Sequence, residues 1–457
     1  MRVCEGVAAC AICLVTSAFS LTAQTPADLR ARAGEVMNEI VAGNFKKVET
    51  QYNSTMAAAL PPGRLAQAWA QLIAQAGEFK GIAQASSQRT QELQVVTFVS
   101  VFQRATLDAI IVFGSDGRIA GLRFVPHQEV TGWTPPTYAH PDAFSERPVT
   151  VAFQHWELPG TLTVPNRTGP FPLLVLVQGS GPQDEDETSG SNKPFKDLAW
   201  GLASRGIAVL RYVKRTKLYG VKSSDDPHVL TVNDEVIDDA RAAINLAAKQ
   251  PSIDRNRLYL LGHSLGGYLA PRIAAGDPQI AGVIIMAGST RPLEQIVMAQ
   301  TRYLAAESGL PAEQANAQVA KAEENAKIIE SPTLAKGQTV ELAGTQLPAS
   351  YFLNLRGYHP AEVAAKLGIP ILVLQGGRDY QVTRVDYNGW RQALAGNSNV
   401  TFKFYPALTH LFMISSAPGT GPDTPEDYAK PGHVDPQVIQ DIASWIENSG
   451  KLGAKNP

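Results

Sequence analysis

The chain has almost no cysteine. Its three cysteines, Cys4, Cys10 and Cys13, all fall within the first 13 of 457 residues. The rest of the chain therefore has no residue that could form a disulfide, act as a cysteine nucleophile or supply a thiolate metal ligand. It also lacks histidines and carboxylates at zinc-binding spacing, and the glycine- and lysine-containing motif of phosphate-binding loops. We therefore predict neither a metal nor any other cofactor.

The chain also lacks an excess of charge of either sign. It has 40 lysine and arginine residues against 42 aspartate and glutamate residues, which gives a net charge of −2. Such a balance predicts no basic surface for nucleic acid or for an anionic membrane. The hydrophobic content of 44% and the charged content of 18% are typical of a globular protein. The length is sufficient for two or three domains.

One short apolar segment lies near the N-terminus. Arg2 precedes an apolar run over residues 6–19, and small residues follow the run. This arrangement is typical of a secretory signal peptide over residues 1–24, with cleavage between Ser20 and Gln24. The run is too short for a transmembrane helix, so we expect a secreted or periplasmic protein without a membrane span.

Residues 25–125 are predicted to form a small α+β domain. Apolar residues at helical spacing favour three helices, and the period then changes to that of strands. This order of elements resembles the small NTF2-like domains found ahead of some secreted bacterial hydrolases. No catalytic cluster stands out, so we expect a role in packing, in shielding the substrate or in docking a partner, including a second copy in a homodimer. The helices are predicted at residues 27–42, 45–60 and 64–76, and the strands at residues 94–102, 105–113 and 119–125.

A proline-containing linker at residues 126–146 leads into a second predicted domain, residues 147–457. Beyond its first strands, continuous apolar strands alternate with amphipathic helices. That alternation predicts an α/β fold with a parallel sheet buried on both faces. The alternation stops over residues 290–364, where a polar, alanine-rich sequence predicts a helical cap without strands.

The second domain is organised around residues 258–268. Residues 258–261 are apolar and indicate a buried strand, Gly262-His263-Ser264-Leu265-Gly266 fits G-x-S-x-G, and a helix is predicted to follow. A strand, a sharp turn and a helix are the context in which this motif exposes a nucleophilic serine. The glycines are needed because side chains flanking so tight a turn would clash with its neighbours. The N-terminus of the following helix also favours negative charge beside Ser264.

Two later residues are suited to activate Ser264, because a serine nucleophile needs a base and the base needs an orienting carboxylate. Asp379 follows a buried strand at residues 371–374 and a turn of two glycines. His410 comes five residues after the next strand, residues 400–405. The carboxyl ends of parallel strands share one edge of a sheet. We therefore predict that Ser264, Asp379 and His410 converge.

Four other residues are weaker candidates for these roles. His433 has no strand immediately before it, and His359 lies in the predicted cap and precedes Asp379 in the chain. His263 is expected to pack beneath the serine turn. Asp386 could replace Asp379, but the glycine pair before Asp379 favours the earlier residue.

Two backbone N–H groups are needed to stabilise the oxyanion of an acyl-transfer reaction. Leu265, the residue after the nucleophile, is predicted to supply one of them. The other is expected from the glycine-rich loop that follows the strand at residues 173–177. Position favours the N–H of Ser180, with Gly179 and Gly181 as alternatives.

Four acidic residues, 184–187, follow this loop directly. Four carboxylates beside an active site could bind a cation or the ammonium group of a substrate. A solvated loop or a helix cap is the simpler interpretation.

From Pro148 onward the chain resembles the α/β-hydrolases, in particular secreted bacterial carboxylesterases and serine-aminopeptidase-like hydrolases. The resemblance implies Ser-His-Asp acyl transfer without a cofactor, and the expected substrate is a small-molecule ester with a short acyl chain. The fold also hosts peptidases, so a serine aminopeptidase is the alternative, and residues 184–187 would then hold the substrate ammonium. A non-catalytic binding protein is less favoured because all three triad members are present. The residues that carry the resemblance are 179–182, 192–195, 262–267, 376–379 and His410.

Overall fold

A computed structural model describes residues 26–90, 93–127, 132–307, 312–416 and 419–453. The chain divides into two compact units between residues 129 and 130. The predicted signal peptide lies outside the described residues. Within the described part of the chain, every helix is too short or too polar to cross a membrane.

The first unit packs helices against an antiparallel sheet of four strands. Its helices are α1 (Pro26–Val41), α2 (Phe45–Glu49), α3 (Ser54–Ala59) and α4 (Arg64–Ala76), and its strands are β1 (Phe79–Thr90), β2 (Leu93–Phe102), β3 (Thr106–Phe113) and β4 (Ile119–Pro126). The strands pair in the order β1-β2-β3-β4. From Val96 onward in β2, and from Ala109 onward in β3, every second residue is buried. The strands therefore present one apolar face, which packs with residues such as Met37 and Ile40 of α1.

Two details of the first unit differ from the sequence predictions. The helix predicted at residues 45–60 is two helices, because the chain turns between α2 and α3 and the side chain of Asn53 accepts a hydrogen bond from Met56 N–H at 2.8 Å. Strand β1 is absent from the sequence predictions. Its sequence is rich in small and polar residues and has no clear apolar alternation.

The second unit is built on a mixed sheet of eight strands. The strand order is β14-β13-β10-β9-β7-β8-β6-β5, in which β5 and β6 are antiparallel to their neighbours and the other six strands are parallel. The predicted α/β fold class is confirmed. The strands are β5 (Phe144–Phe153), β6 (Trp156–Pro165), β7 (Phe171–Val177), β8 (Ala208–Tyr212), β9 (Ile253–His263), β10 (Ile280–Met286), β13 (Ile371–Gly376) and β14 (Val400–Tyr405), with β11 (Thr339–Leu342) and β12 (Thr345–Pro348) in a separate hairpin.

Helices cover both faces of this sheet. In β7 every residue is buried, and the side chains alternate between two cores. Leu173 and Val175 belong to one core, whereas Leu174 and Leu176 belong to the other. A strand buried on both faces has no polar side to present, which explains the unbroken apolar runs of the sequence. The helices are α5 (Pro194–Ala203), α6 (Arg215–Tyr219), α7 (Asp238–Ala248), α8 (Leu265–Ala275), α9 (Leu293–Glu307), α10 (Ala312–Glu330), α11 (Ala349–Leu355), α12 (Pro360–Ala365), α13 (Arg384–Ala393) and α14 (Pro436–Gly453), and a π-helical turn (Asn233–Ile237) precedes α7.

The insertion between β10 and β13 is mostly helical, as the sequence indicates. It contains α9, α10, α11 and α12. It also contains the β11–β12 hairpin, so the prediction of an insertion without strands is wrong in this detail. Both hairpin strands are only four residues long and carry polar residues. Such short strands give no periodic signal in a sequence.

The second unit takes in part of the segment assigned to the linker. Strand β5 begins at Phe144, and Tyr138 is buried with its hydroxyl group donating to the carbonyl of Val434 at 2.7 Å. The first residues of this unit thus lie ahead of the predicted boundary at residue 147.

Candidate active site

Ser264 occupies a strained turn between β9 and α8. The strand ends at His263, the helix begins at Leu265, and Ser264 between them has φ 54° and ψ −115°. Its N–H donates to the carbonyl of Met286 at 2.9 Å, which ties the turn to the neighbouring strand β10. A non-glycine residue with positive φ is costly and persists where the surroundings hold it. Ser264 Oγ makes no capping hydrogen bond to α8, so the hydroxyl is left for another partner.

The glycines of the motif are required by close backbone contacts. A Cβ atom on Gly262 would lie 2.1 Å from the carbonyl oxygen of Gly266, and a Cβ atom on Gly266 would lie 2.3 Å from that of Val177. Neither position can accept a side chain, because the strand, the helix and β7 approach one another at these points. The predicted turn is therefore found where the motif places it.

Asp379 and His410 are in direct contact. His410 Nδ1 lies 2.7 Å from Asp379 Oδ2, and both side chains are almost completely buried. The other carboxylate oxygen, Oδ1, accepts hydrogen bonds from the N–H groups of Gln381 at 2.8 Å and Val382 at 2.9 Å. These contacts fix the carboxylate at the end of β13. The loop that carries His410 is held against β13, since a Cβ atom on Gly376 would lie 2.4 Å from the carbonyl oxygen of Thr409.

The structure brings His410 close to the serine turn through His263. The two histidine rings lie 4.6 Å apart, and His263 Nε2 lies 3.0 Å from the carbonyl oxygen of His410. His263 immediately precedes Ser264. His263 is buried; that it packs beneath the turn stays a prediction, and its contact with His410 was not predicted.

The competing residues have other partners. His433 Nδ1 lies 3.1 Å from Asp197 Oδ1, and His359 occupies the N-cap position of α12. Asp386 is fully buried and accepts hydrogen bonds from Arg291 and from the backbone N–H of Thr290. None of these side chains contacts His410 or Ser264 among the described contacts.

The glycine-rich loop after β7 passes beside the nucleophile. A Cβ atom on Gly179 would lie 3.1 Å from Ser264 Cβ and 3.6 Å from Ser264 Oγ. The N–H of Gly179 donates to Glu187 Oε1 at 2.6 Å, so it is not available to a substrate. Of the three predicted donors in this loop, Ser180 and Gly181 therefore remain. At the other side of the site, Leu265 is the first residue of α8, where backbone N–H groups have no partner within the helix.

Gln178, the residue before this loop, serves to anchor it. Its side chain is buried, and Nε2 donates to the carbonyl of Tyr212 at the end of β8. The loop is thereby tied to the strand next to β7.

Glu187 and His263 form a second buried acid–histidine pair. Glu187 Oε2 lies 2.9 Å from His263 Nδ1, a contact that is an ion pair when the imidazole is protonated. Burial alone would lower the pKa of His263, but the Glu187 carboxylate, the carbonyl of His410 and the charge of Asp379 together outweigh this effect, and the pKa is raised. Glu187 itself has φ 52°, which places it in the left-handed region. Because Glu187 also binds Gly179, this pair joins the loop after β7 to the serine turn.

The other acidic residues of the run are also engaged within the chain. Asp184 Oδ1 accepts two backbone N–H groups, and Glu185 accepts a hydrogen bond from Thr161 at 3.0 Å. Asp186 forms ion pairs with Arg211 and Lys193. In this arrangement the carboxylates brace the loop, and the solvated-loop, helix-cap and ammonium-site interpretations of the sequence stay predictions.

Sequence reasoning did not single out Glu187 or Lys214 as individual residues near the site. Lys214 is 2% exposed and donates to the carbonyl of Gly179 at 2.7 Å. A sequence signal for Lys214 does exist: it lies just beyond a buried parallel strand, β8, at the edge where the site was expected.

Comparison with known proteins identifies relatives of both parts of the chain. Residues 191–416 match the family model described as serine aminopeptidase, S33. Residues 33–122 match a family described as a protein of unknown function, DUF3887. That family is NTF2-like, so the resemblance predicted for the first unit is confirmed.

One relative covers nearly the whole chain. Esterase EstD of Thermotoga maritima is 38% identical over 414 residues, which make up 90% of this chain and 93% of that protein. Among solved structures, Est1E from Butyrivibrio proteoclasticus (14% identity, 66% of this chain and 98% of that chain, TM-score 0.42) and an esterase of Pyrococcus furiosus (15%, 71% and 96%, TM-score 0.43) are similar. On the extended match to the Thermotoga maritima esterase, the chain belongs to the esterase family of the α/β-hydrolases and is a carboxylesterase-type hydrolase.

Proposed function

We propose that the chain hydrolyses small carboxylic esters through a triad of Ser264, His410 and Asp379. The observation that carries this proposal is the 2.7 Å contact between His410 Nδ1 and Asp379 Oδ2, at the sheet edge where Ser264 occupies its strained turn. In this contact the carboxylate accepts the Nδ1 proton. The lone pair of Nε2 is then the one that can receive the serine proton.

The first half of the reaction forms an acyl-enzyme. Ser264 Oγ attacks the ester carbonyl carbon while His410 Nε2 takes the hydroxyl proton, and Asp379 stabilises the imidazolium that results. As the tetrahedral intermediate collapses, the bond to the alcohol oxygen breaks and His410 returns the proton to that oxygen. The alcohol leaves, and the acyl group remains on Ser264 as an ester.

The second half uses water in place of the alcohol. His410 Nε2 removes a proton from a water molecule, whose oxygen attacks the acyl carbonyl carbon. When this second intermediate collapses, the bond to Ser264 Oγ breaks and His410 returns the proton to the serine. The products are a carboxylic acid and the free enzyme.

The negative oxygen of both intermediates needs hydrogen-bond donors that are already in place. We assign this role to the backbone N–H groups of Leu265 and Ser180. Leu265 begins α8, so its N–H adds to the positive end of the helix dipole. Ser180 follows Gly179, whose backbone lies against the nucleophile. Preorganised donors of this kind are each worth about 10²–10³ in turnover.

A serine aminopeptidase is the second candidate function. The match of residues 191–416 to the serine aminopeptidase family favours it. Against it, the carboxylates of residues 184–187 that would hold a substrate ammonium already have partners within the chain. We therefore give priority to esters, and to short acyl chains among them.

Secretion and self-association are further proposals. We propose that residues 1–24 direct the protein to the periplasm or the medium, and N-terminal sequencing of the exported protein should then begin between residues 21 and 25. A homodimer is also proposed. Gel filtration of the full mature chain should give twice the monomer mass, and a monomer mass would contradict it.

The decisive experiment is a substrate panel with a serine variant. The full chain and Ser264→Ala are assayed on p-nitrophenyl acetate, butyrate and octanoate, and on aminoacyl-p-nitroanilides. We expect ester hydrolysis that decreases with chain length, no anilide cleavage, and a loss of about 10⁴-fold or more in Ser264→Ala. Ser204→Ala, in which the changed hydroxyl group binds the N–H of His140 away from the site, is the matched control and should retain activity.

Each outcome bears on a different part of the proposal. Near-normal esterase activity in Ser264→Ala would overturn the triad. Serine-dependent cleavage of the anilides would instead transfer the assignment to a peptidase. A preference for octanoate over acetate would contradict the proposed short acyl chain.

A further inference from the structure

A buried lysine contacts the loop that borders the nucleophile. Lys214 follows β8 by two residues and is 2% exposed. Its Nζ donates to the carbonyl oxygen of Gly179 at 2.7 Å and pairs with Glu235 Oε1 at 2.5 Å. A buried ammonium group is costly unless it is paired and hydrogen bonded, and both conditions are met here.

The contact with Gly179 fixes the direction of the next N–H group. The carbonyl of Gly179 and the N–H of Ser180 belong to one planar trans peptide group, so they point in opposite directions. When Lys214 holds the carbonyl oxygen on one side, the Ser180 N–H must point to the other side. The preceding peptide is also held, because the N–H of Gly179 donates to Glu187 Oε1 at 2.6 Å. Two charged side chains therefore determine the backbone conformation at Gly179.

The ammonium group also acts on the peptide electrostatically. A positive charge at the carbonyl oxygen polarises the peptide group and makes its N–H a stronger donor. A neutral donor side chain could also form a hydrogen bond to the carbonyl oxygen of Gly179, but it would not polarise the peptide group in this way. The charge of Lys214 therefore has a consequence for the peptide beyond filling a hydrogen bond.

The contacts of Lys214 continue into the insertion between β10 and β13. Glu235 Oε2 accepts a hydrogen bond from the hydroxyl group of Tyr351 at 2.6 Å, and Tyr351 belongs to α11. Burial, and next the charge of Glu235, raise the pKa of Tyr351 well above its ordinary value, so the hydroxyl group remains a donor. Glu235 itself lies in the π-helical turn before α7, a departure from regular helix that is frequent at functional sites.

We propose that Lys214 is a positioning residue for the oxyanion, which acts by orienting the Ser180 N–H, and that Glu235, supported by Tyr351 of the insertion, holds Lys214 in place. This inference rests on the proposed serine esterase function. It predicts that Lys214 influences the transition state, in which the oxyanion exists, more than substrate binding.

The test uses the double variant Lys214→Met/Glu235→Gln. It removes both charges together, so no unpaired charge is buried, and the amide oxygen of the introduced glutamine remains an acceptor for Tyr351. We expect kcat for p-nitrophenyl butyrate to fall about 10–100-fold with KM changed less than about 3-fold, because the oxyanion donor is mispositioned rather than removed. Affinity for a trifluoromethyl ketone, which binds serine as a tetrahedral adduct, should fall by the same factor as kcat/KM.

Two further variants grade the effect. Lys214→Arg keeps the positive charge, so its kcat should lie between that of the original protein and that of Lys214→Met/Glu235→Gln. Tyr351→Phe removes the support from α11 and should lower kcat about 2–5-fold. Arg291→Met/Asp386→Asn, which neutralises another ion pair with a fully buried carboxylate, is the matched control and should leave kcat within about 2-fold while it lowers thermal stability.

The outcomes separate this proposal from the proposed function. A folded Lys214→Met/Glu235→Gln variant with unchanged kcat would overturn it, and so would a change confined to KM. If that variant fails to fold, unchanged kcat in both Lys214→Arg and Tyr351→Phe would overturn it instead. Loss of the serine esterase assignment would appear separately, as residual activity in Ser264→Ala.

Discussion

Two buried acid–histidine pairs lie side by side at one edge of the sheet, Asp379 with His410 and Glu187 with His263. In each pair a carboxylate oxygen approaches Nδ1 of the histidine, at 2.7 Å in the first and 2.9 Å in the second. The two rings are 4.6 Å apart. Both pairs thus join a buried carboxylate to the same ring nitrogen of a buried histidine.

The pairs differ in the partner of the second ring nitrogen. His263 Nε2 lies 3.0 Å from the carbonyl oxygen of His410, so both nitrogens of His263 face acceptors, an arrangement that favours the protonated ring and raises its pKa. His410 uses Nδ1 for Asp379, and Nε2 is the nitrogen that can accept a proton. A histidine between two acceptors holds its proton, whereas a histidine with one acceptor can exchange a proton. Acid–histidine contacts alone therefore do not identify a catalytic pair.

The largest effect is expected from a substitution that breaks the first pair, Asp379 with His410. Asp379→Asn keeps the size of the side chain but offers an amide in place of the carboxylate, which favours the wrong tautomer of His410. We expect kcat for p-nitrophenyl butyrate to fall about 10³–10⁴-fold with thermal stability little changed. Steady-state kinetics and a thermal melt of the same preparation measure both quantities. Activity within about 10-fold of the original protein would exclude Asp379 as the triad acid.

Breaking the second pair, Glu187 with His263, should lower stability more than it lowers activity. Glu187→Gln keeps an acceptor for the N–H of Gly179 but removes the negative charge beside His263. We expect a loss of about 1–3 kcal/mol in the free energy of unfolding, because the buried imidazolium loses its partner and must give up its proton. The fall in kcat should stay below about 100-fold. A larger loss of kcat than in Asp379→Asn would reverse the roles assigned to the two pairs.

The pH dependence of stability provides a further test of the difference between the two acid–histidine pairs. The pKa of His263 is raised in the folded protein, so its pair with Glu187 contributes fully below the ordinary value of 6.5 and is lost as the pH rises through the folded-state pKa. The difference in unfolding free energy between the original protein and Glu187→Gln should therefore be larger at pH 6 than at pH 9. Urea denaturation at the two pH values gives this difference. An equal or larger difference at pH 9 would contradict a charged His263.

Much of the fold could be predicted from the sequence, because its strongest signals are local. The buried strands β7, β9, β10 and β13 are continuous apolar runs, and the turn at Ser264 needs glycines at fixed spacing. Strand β1 and the β11–β12 hairpin were missed because short or polar strands give no periodic pattern. Their positions depend on pairing with neighbouring strands rather than on their own sequence.

The candidate site residues could likewise be predicted only where the sequence carries a local signal. Ser264, Asp379 and His410 each follow a recognisable strand, so their order in the chain suggested that they meet. Glu187 follows no strand directly, and Lys214 lies just beyond β8, but the sequence gives no signal for its contact with Gly179. Both side chains are linked to the site by hydrogen bonds with Gly179, at separations of 8 and 35 residues along the chain. Only three-dimensional packing distinguishes these two buried charges from the many acidic and basic residues at the surface.

The smallest expected effect concerns Asp423, a third carboxylate close to the first pair. Asp423 is fully buried and accepts a hydrogen bond from the N–H of Tyr380 at 3.2 Å. Burial, and next the charge of Asp379, raise its pKa from 3.8 to about 7. The folded protein therefore binds this proton more tightly than the unfolded chain, and stability falls as the pH rises from about 4 to about 7. Asp423→Asn cannot ionise, so its advantage over the original protein should grow across that range to about 1–2 kcal/mol.

Asp427 provides a control of opposite sign. Burial alone would raise the pKa of Asp427, but hydrogen bonds from Ser416 and from the N–H of Thr424 outweigh it and lower the pKa below 3.8. Its ionised form therefore stabilises the folded protein above about pH 4, and this contribution is lost as the pH falls. Melting temperatures at pH 5 and pH 8 should show Asp423→Asn gaining stability at the higher pH while Asp427→Asn is less stable than the original protein at both. If Asp423→Asn showed no gain at pH 8, an ionised Asp423 would carry no cost, and neither its burial nor the charge of Asp379 would raise its pKa in the folded protein.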